Sequence, residues 1–135
     1  MQNGALDKKT GYFDYERWDV YRAALELIVV IKNIVDRLPR GNAYLADQLQ
    51  RAGTSVPLNI AEGSGEYAGP EKARFYRMAK RSATECASIL DVCKQLNLVD
   101  EEQHSKGREL LLRIAAMLTK MARCDTNGHV SSSKQ

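Results

Sequence analysis

Apolar residues recur at helical spacing in four long segments of this chain, and short breaks separate the segments. The segments span about 15–38, 42–62, 69–97 and 100–123. Pro39 and Gly41 close the first segment, Pro70 suits the first turn of the third, and Asp100 is an N-cap for the fourth. The pattern predicts an all-α protein that folds as an antiparallel up-down four-helix bundle.

The first segment carries more apolar surface than one bundle needs. Two adjacent apolar seams run along it and together cover about half of the helix circumference. These seams consist of Trp18, Tyr21, Leu25, Ile28 and Val35, and of Leu27, Ile31, Ile34 and Leu38. Three neighbouring helices would leave part of this surface uncovered, so the sequence predicts a homo-oligomer.

Composition fits one globular domain with polar ends. The chain has 135 residues, of which 44% are hydrophobic and 27% are charged. The ends at 1–14 and 124–135 lack periodicity, so we expect an N-terminal tail, a bundle over 15–123 and a flexible C-terminal tail. The longest apolar run, LIVVI, is too short to span a bilayer, and the three cysteines suit a reducing compartment. We therefore expect a cytoplasmic protein without a membrane segment.

The second segment contains the run "RAGTSVPLNIAEGSGE", in which a proline and several polar residues interrupt a helical pattern. Pro57 cannot donate a hydrogen bond to the carbonyl of Gly53, so we predict a helix bent at Pro57. A polar stripe beside the apolar face consists of Arg51, Ser55, Asn59 and Glu62. This stripe either faces water or forms a polar network between helices or subunits, with Glu85 or Arg81 of the third segment as partners.

This run, together with the later stretch "KARFYRMAKRSATECASILDVCKQLNLV", resembles the four-helix-bundle proteins of the 23S rRNA intervening-sequence family. The matching hallmark residues are Arg51, Ala52, Ser55, Asn59, Ile60, Ala61, Glu62 and Gly63. The similarity covers about 18–123, and "GTS" departs from the bulkier residue that usually precedes the serine. The resemblance implies a homopentamer, often encoded within sequences inserted in large-subunit rRNA genes, with relatives that accompany reverse transcriptases of diversity-generating retroelements.

Basic residues cluster in the third segment and recur in the fourth. The stretch "EKARFYRMAKR" holds five basic residues against one acid, although the whole chain has a net charge of only +3. In the fourth segment, three basic residues follow at seven-residue spacing. The candidate nucleic-acid contacts are Lys72, Arg74, Arg77, Lys80, Arg81, Lys106, Arg113 and Lys120. Tyr76 is a candidate for stacking on an unpaired base, and solvated helix flanks are the alternative interpretation.

Residues for catalysis or metal binding do not assemble in this sequence. Glu101 and His104 form one Glu-x-x-His pair where a dinuclear iron bundle needs two, and His129 lies in the C-terminal tail. We therefore expect no enzyme activity, no metal and no cofactor. Two functions remain: a non-enzymatic oligomer that binds RNA or other nucleic acid, or an interaction scaffold for a partner enzyme without direct nucleic-acid binding.

Overall fold

The computed structural model describes the backbone of residues 6–7 and 12–134, and the side chains of residues 13–125. Its four helices are α1 (Asp19–Asp36), α2 (Ala43–Ser64), α3 (Gly69–Gln95) and α4 (Glu101–Lys134). Ahead of α1, the two-residue strands Leu6–Asp7 and Tyr12–Phe13 pair antiparallel, and Asp14–Arg17 forms a 3-10 helix. The predicted all-α four-helix bundle is confirmed.

The four helices surround one core. Each helix packs against the next one along the chain, and α1 also packs against α4. α3 makes the most extensive helix contacts, with α2 on one side and α4 on the other. Hydrogen bonds from Ser82 to Ser55 and from Lys72 to Ser64 show that α2 and α3 run antiparallel. In this arrangement α1 lies diagonally across the bundle from α3.

One chain does not cover all of the apolar surface of α1. Leu27, Ile31 and Ile34 are buried in the core. By contrast, Leu25 is 45% exposed and Val29 is 60% exposed. The apolar surface of α1 therefore exceeds what its bundle neighbours bury, as its width in the sequence predicted.

The inner face of α3 differs from the one that its spacing predicts. That spacing places Met78 and Leu96 in the core, whereas both are exposed and Tyr76 and Ala83 are buried instead. Gly63 of α2 supplies the physical reason for the burial of Tyr76. A Cβ at residue 63 would lie 2.6 Å from Cε1 of Tyr76, so only glycine lets this aromatic ring enter the core.

α2 remains helical through Pro57, as predicted. A Cβ at Gly53 would overlap Cδ1 of Ile31, so this glycine allows α1 and α2 to approach closely. Gly53 and Pro57 are both buried and lie one turn apart. The polar stripe lies beside this buried face of α2.

The two ends of α4 differ in how well the sequence predicts them. The backbone N–H of Gln103 donates to Oδ1 of Asp100 at 2.7 Å, and the N–H of Asp100 donates to Oε1 of Gln103 at 3.1 Å, so a reciprocal cap starts the helix. At the other end the backbone stays helical through Lys134, beyond the predicted end at 123.

The division into a bundle and two tails stays a prediction. Within the described ranges, no helix is both long and apolar enough to cross a membrane.

Candidate functional site

Lys72 does not belong to the surface of the protein. Its Nζ is buried where α2 ends, and it donates to the carbonyl oxygen of Ser64 at 3.1 Å and of Gly63 at 3.4 Å. Burial lowers the pKa of Lys72, while the negative charges of Asp125 and Glu66 act in the opposite direction. The prediction that Lys72 contacts nucleic acid is therefore wrong, because its buried ammonium group binds the last carbonyl groups of α2.

Tyr76 is also buried rather than available to a ligand. Its side chain is 1% exposed, and its ring packs edge-on against Trp18 with the ring centroids 6.4 Å apart. Burial raises the pKa of the Tyr76 hydroxyl, with a smaller contribution from the charge of Asp125. Because neither ring face is accessible, the prediction that Tyr76 stacks on a base is wrong.

The remaining basic residues of α3 lie on the outside of the bundle. Arg74, Arg77 and Arg81 are exposed, and their spacing of three and four residues places them on one side of the helix; we call this set the arginine face. Arg74 Nε lies 3.4 Å from Oε1 of Glu71, and its guanidinium carbon lies 4.8 Å from the centre of the Phe75 ring. These contacts orient the Arg74 side chain while leaving it accessible to a ligand.

Lys80 lies at the edge of the arginine face, and the basic row of α4 lies apart from it. Lys80 is half-exposed and follows Arg77 by three residues, nearer to the core than the three arginines. Lys106, Arg113 and Lys120 follow one another along α4, and an Arg113 guanidinium nitrogen lies 3.8 Å from Oε1 of Glu26 in α1. This row therefore runs beside α1, and one chain does not bring it together with the arginine face.

The polar stripe of α2 divides into an inner and an outer part. Asn59 Nδ2 donates to Ser55 Oγ at 2.8 Å and to the Ser55 carbonyl at 2.9 Å, and Ser82 Oγ donates to Ser55 Oγ at 2.8 Å. Ser82 thus takes the place that the sequence assigned to Glu85 or Arg81, because its short side chain fits between the two helices. The outer residues, Arg51, Glu62 and Glu85, are exposed and make no side-chain hydrogen bond or ion pair among the described residues.

Sequence reasoning missed the buried corner formed by Gly63, Ser64, Lys72 and Tyr76. Gly69 belongs to the same corner, since a Cβ there would overlap the carbonyl oxygen of Asp125 in α4. The signal in the sequence is the pair of glycines at 63 and 69, which permit close backbone approach on either side of the turn. At this corner α2, α3 and α4 pack against one another.

The Glu101 and His104 pair does not form a metal half-site. Glu101 accepts hydrogen bonds from Lys94 and Ser105, and the bond from Lys94 is the main reason that its pKa is lowered. His104 is buried, and its Nε2 lies 2.8 Å from Oδ1 of Asp91. In the part of the chain that the structure describes, no group of three or more His, Cys, Asp or Glu residues could hold a metal ion.

The sequence and the fold of this chain both match known proteins. A model of the family described as 23S rRNA-intervening sequence protein matches residues 16–120. The fold is similar to the crystal structure of a protein with unknown function from the S23 ribosomal protein family of Bacteroides thetaiotaomicron. The two chains are 22% identical, the match covers 76% of this chain and 97% of that chain, and the TM-score is 0.71, which shows a shared fold. No curated protein matches this sequence.

Proposed function

The chain belongs to the 23S rRNA-intervening sequence protein family, and we propose that it is a non-enzymatic homo-oligomer that binds RNA or other nucleic acid. The observation that carries this proposal is the arginine face of α3, where Arg74, Arg77 and Arg81 are exposed along about 10 Å of a rigid helix. Guanidinium groups suit phosphate oxygens because they donate in a planar fork and keep their charge. The proposed role is cytoplasmic and needs neither a metal nor a cofactor.

Self-association strengthens this proposal because an assembly repeats each arginine face. The exposed Leu25 and Val29 of α1 provide apolar surface that a second chain can bury. A pentamer is the preferred assembly, since the family resemblance implies one. Light scattering at micromolar concentration tests self-association, and a particle of 15.1 kDa would contradict it.

Filter binding tests nucleic-acid recognition directly. The variant that reverses Arg74, Arg77 and Arg81 to Glu is compared with the wild type on structured RNA and on duplex DNA. If an assembly makes about six phosphate contacts, wild-type affinity should fall roughly a thousandfold between about 50 and 200 mM salt, largely independent of sequence. The triple variant should lose this binding while its oligomeric state and melting temperature persist.

The matched control places the same change of charge on α4. Reversal of Lys106, Arg113 and Lys120 to Glu alters the net charge equally but leaves the arginine face intact. This control should retain most of the affinity if the arginine face makes the main contacts. Equal binding by the wild type and the α3 variant would contradict nucleic-acid binding through the arginine face.

A second candidate function is an interaction scaffold that does not bind nucleic acid. The observation that favours it is a groove of about 290 Å³ between α3 and α4, whose floor is formed by small side chains such as Ala83 and Ala87. Leu112 lines this groove and is 60% exposed. A copurifying protein that is lost on Leu112→Asp, together with salt-independent weak binding to RNA, would favour the scaffold over the first proposal.

A further inference from the structure

The outer face of α2 carries two exposed apolar side chains and two opposite charges. Leu58 is 59% exposed and Tyr44 is 55% exposed. Arg51 and Glu62 flank Leu58, and neither makes a side-chain hydrogen bond or ion pair with another described residue. Between these charges lies an open cavity of about 560 Å³, lined by Gln50, Arg51, Thr54, Ser55, Leu58 and Asn59.

This face is complementary to itself. Arg51 and Glu62 are eleven residues apart in α2, or about 16 Å by helical rise, and the midpoint between them falls at Val56 and Pro57. A second α2 laid antiparallel across a twofold axis at this midpoint brings each Arg51 opposite Glu62 of the second copy. The same rotation brings each Leu58 opposite Ser55 of the second copy, over the cavity.

We propose that α2 is an isologous interface through which two copies of this chain pair their α2 helices antiparallel. The partner is a second copy because the twofold arrangement converts the two unpaired charges of each chain into two ion pairs and covers Leu58 of both chains. Each ion pair would lie about 8 Å from the axis, where helices packed at either common crossing angle are still within reach of long side chains. Asp47 shares this face but lies about 14 Å from the axis, where helices that cross at about 50° have diverged.

Hydrogen bonds within the chain already satisfy the donors of the inner polar stripe. Asn59 Nδ2 donates to Ser55, and Ser82 Oγ donates to Ser55 Oγ. These donors stay satisfied when the interface loses water, whereas Asn59 Oδ1 accepts no hydrogen bond from a described residue and needs a bridging water in the pair. The inference rests on the self-association proposed above, but not on nucleic-acid binding. The α2 interface joins two chains whether or not each of them also belongs to a larger ring.

Charge reversal tests the pairing. The variants are Arg51→Glu, Glu62→Arg and the double variant, and particle mass is measured by light scattering over a range of concentrations. Each single variant places like charges opposite each other at both ends of the interface, so its pairing should weaken by about tenfold or more. At concentrations where the wild type is paired, the mass of each single variant should fall by half.

Restoration distinguishes this twofold pairing from other contacts. The double variant should regain the wild-type mass because both charges are exchanged, so that opposite charges again meet at each end of the interface. An equal mixture of the two single variants should recover part of that mass, since a mixed pair carries like charges at neither end. Arg123→Glu and Glu109→Arg carry the same charge changes on exposed positions of α4 and should have no effect. At concentrations where the wild type is also unpaired, circular dichroism should show the same melting for wild type and variants, since Arg51 and Glu62 are exposed.

Three results would overturn the inference: an odd number of chains in the wild-type particle at every concentration, wild-type masses for both single variants, or failure of the double variant and the mixture to recover. Filter binding by the same variants reports separately on the arginine face. A failed pairing with retained nucleic-acid binding therefore rejects only the α2 interface, and the converse result rejects only nucleic-acid binding.

Discussion

Lys72 and Arg74 are two residues apart in one basic run, yet they lie in opposite environments. Lys72 Nζ is buried against the last carbonyl groups of α2, where two hydrogen bonds satisfy it. The Arg74 guanidinium lies outside the bundle, over the Phe75 ring and near Glu71. Since α3 turns by about 200° between the two positions, one lies toward the core and the other lies toward solvent. The formal charge of the run therefore overstates the charge that a ligand can meet.

The buried lysine and the exposed arginines therefore have different roles. The buried corner around Lys72 determines how α2, α3 and α4 join, so changes there should act on stability. The arginine face contributes little to packing, so changes there should act on binding.

Gly63→Ala should give the largest loss of stability. The new Cβ would lie 2.6 Å from Cε1 of Tyr76 and 3.0 Å from Cβ of Phe75, and the buried ring has no room to move because it packs on Trp18. We expect a decrease of about 3 kcal/mol in the free energy of unfolding, measured by urea denaturation. Gly65→Ala is the control: its Cβ meets nothing closer than 3.6 Å, so stability should stay unchanged or rise by about 0.5 kcal/mol. Equal effects of the two substitutions would mean that the corner is not tightly packed.

Lys72→Met should have the next largest effect. Methionine keeps the apolar stem of the side chain but leaves the Ser64 carbonyl without its donor, and it removes the cation near Asp125. We expect the free energy of unfolding to fall by about 2 kcal/mol. Lys80→Met, eight residues along the same helix and half-exposed, should change it by less than about 0.5 kcal/mol. If Lys72→Met left the free energy of unfolding unchanged, Lys72 would behave as a surface cation, contrary to this prediction.

Tyr76→Phe should have the smallest of these effects on the free energy of unfolding, and the effect should depend on pH. Burial raises the pKa of Tyr76 above its unfolded value of 10.0, so above pH 10 the unfolded chain releases this proton while the folded chain keeps it. The unfolded state then binds fewer protons, and wild-type stability falls as pH rises. The stability difference between the wild type and Tyr76→Phe should shift against the wild type by about 1 kcal/mol between pH 9 and 11. A difference that is independent of pH would contradict the burial of this hydroxyl.

Periodicity predicts the four helices because each has an apolar stripe long enough to be recognised, and it also predicts the surplus on α1 that leaves Leu25 exposed. It fails on the inner face of α3. Phe75 and Tyr76 are adjacent aromatic residues, and the choice of the buried one depends on Gly63, which belongs to another helix. A sequence pattern within α3 contains no information about that contact.

The candidate site was predictable to a similar extent. The exposure of Arg74, Arg77 and Arg81 follows from their helical positions. The burial of Lys72 does not follow from its position in α3. A lysine is buried where groups from another segment, here the carbonyl groups of α2, can accept its hydrogen bonds. Ser82 was not predicted as the partner of Ser55, because the residue of α3 that faces Ser55 depends on how α2 and α3 pack, and the spacing within either helix does not contain that register.

We propose that the basic run is divided between Lys72, which stabilises the fold, and the arginine face, which binds nucleic acid. The most direct test measures RNA affinity by filter binding for Lys72→Met and for the Arg74, Arg77 and Arg81 triple reversal, at a temperature where both remain folded. We expect Lys72→Met to melt earlier yet to bind within about twofold of the wild type, because Lys72 contacts no phosphate. The triple variant should melt normally and should not bind. Loss of affinity by Lys72→Met equal to that of the triple variant, with wild-type melting, would contradict this proposal.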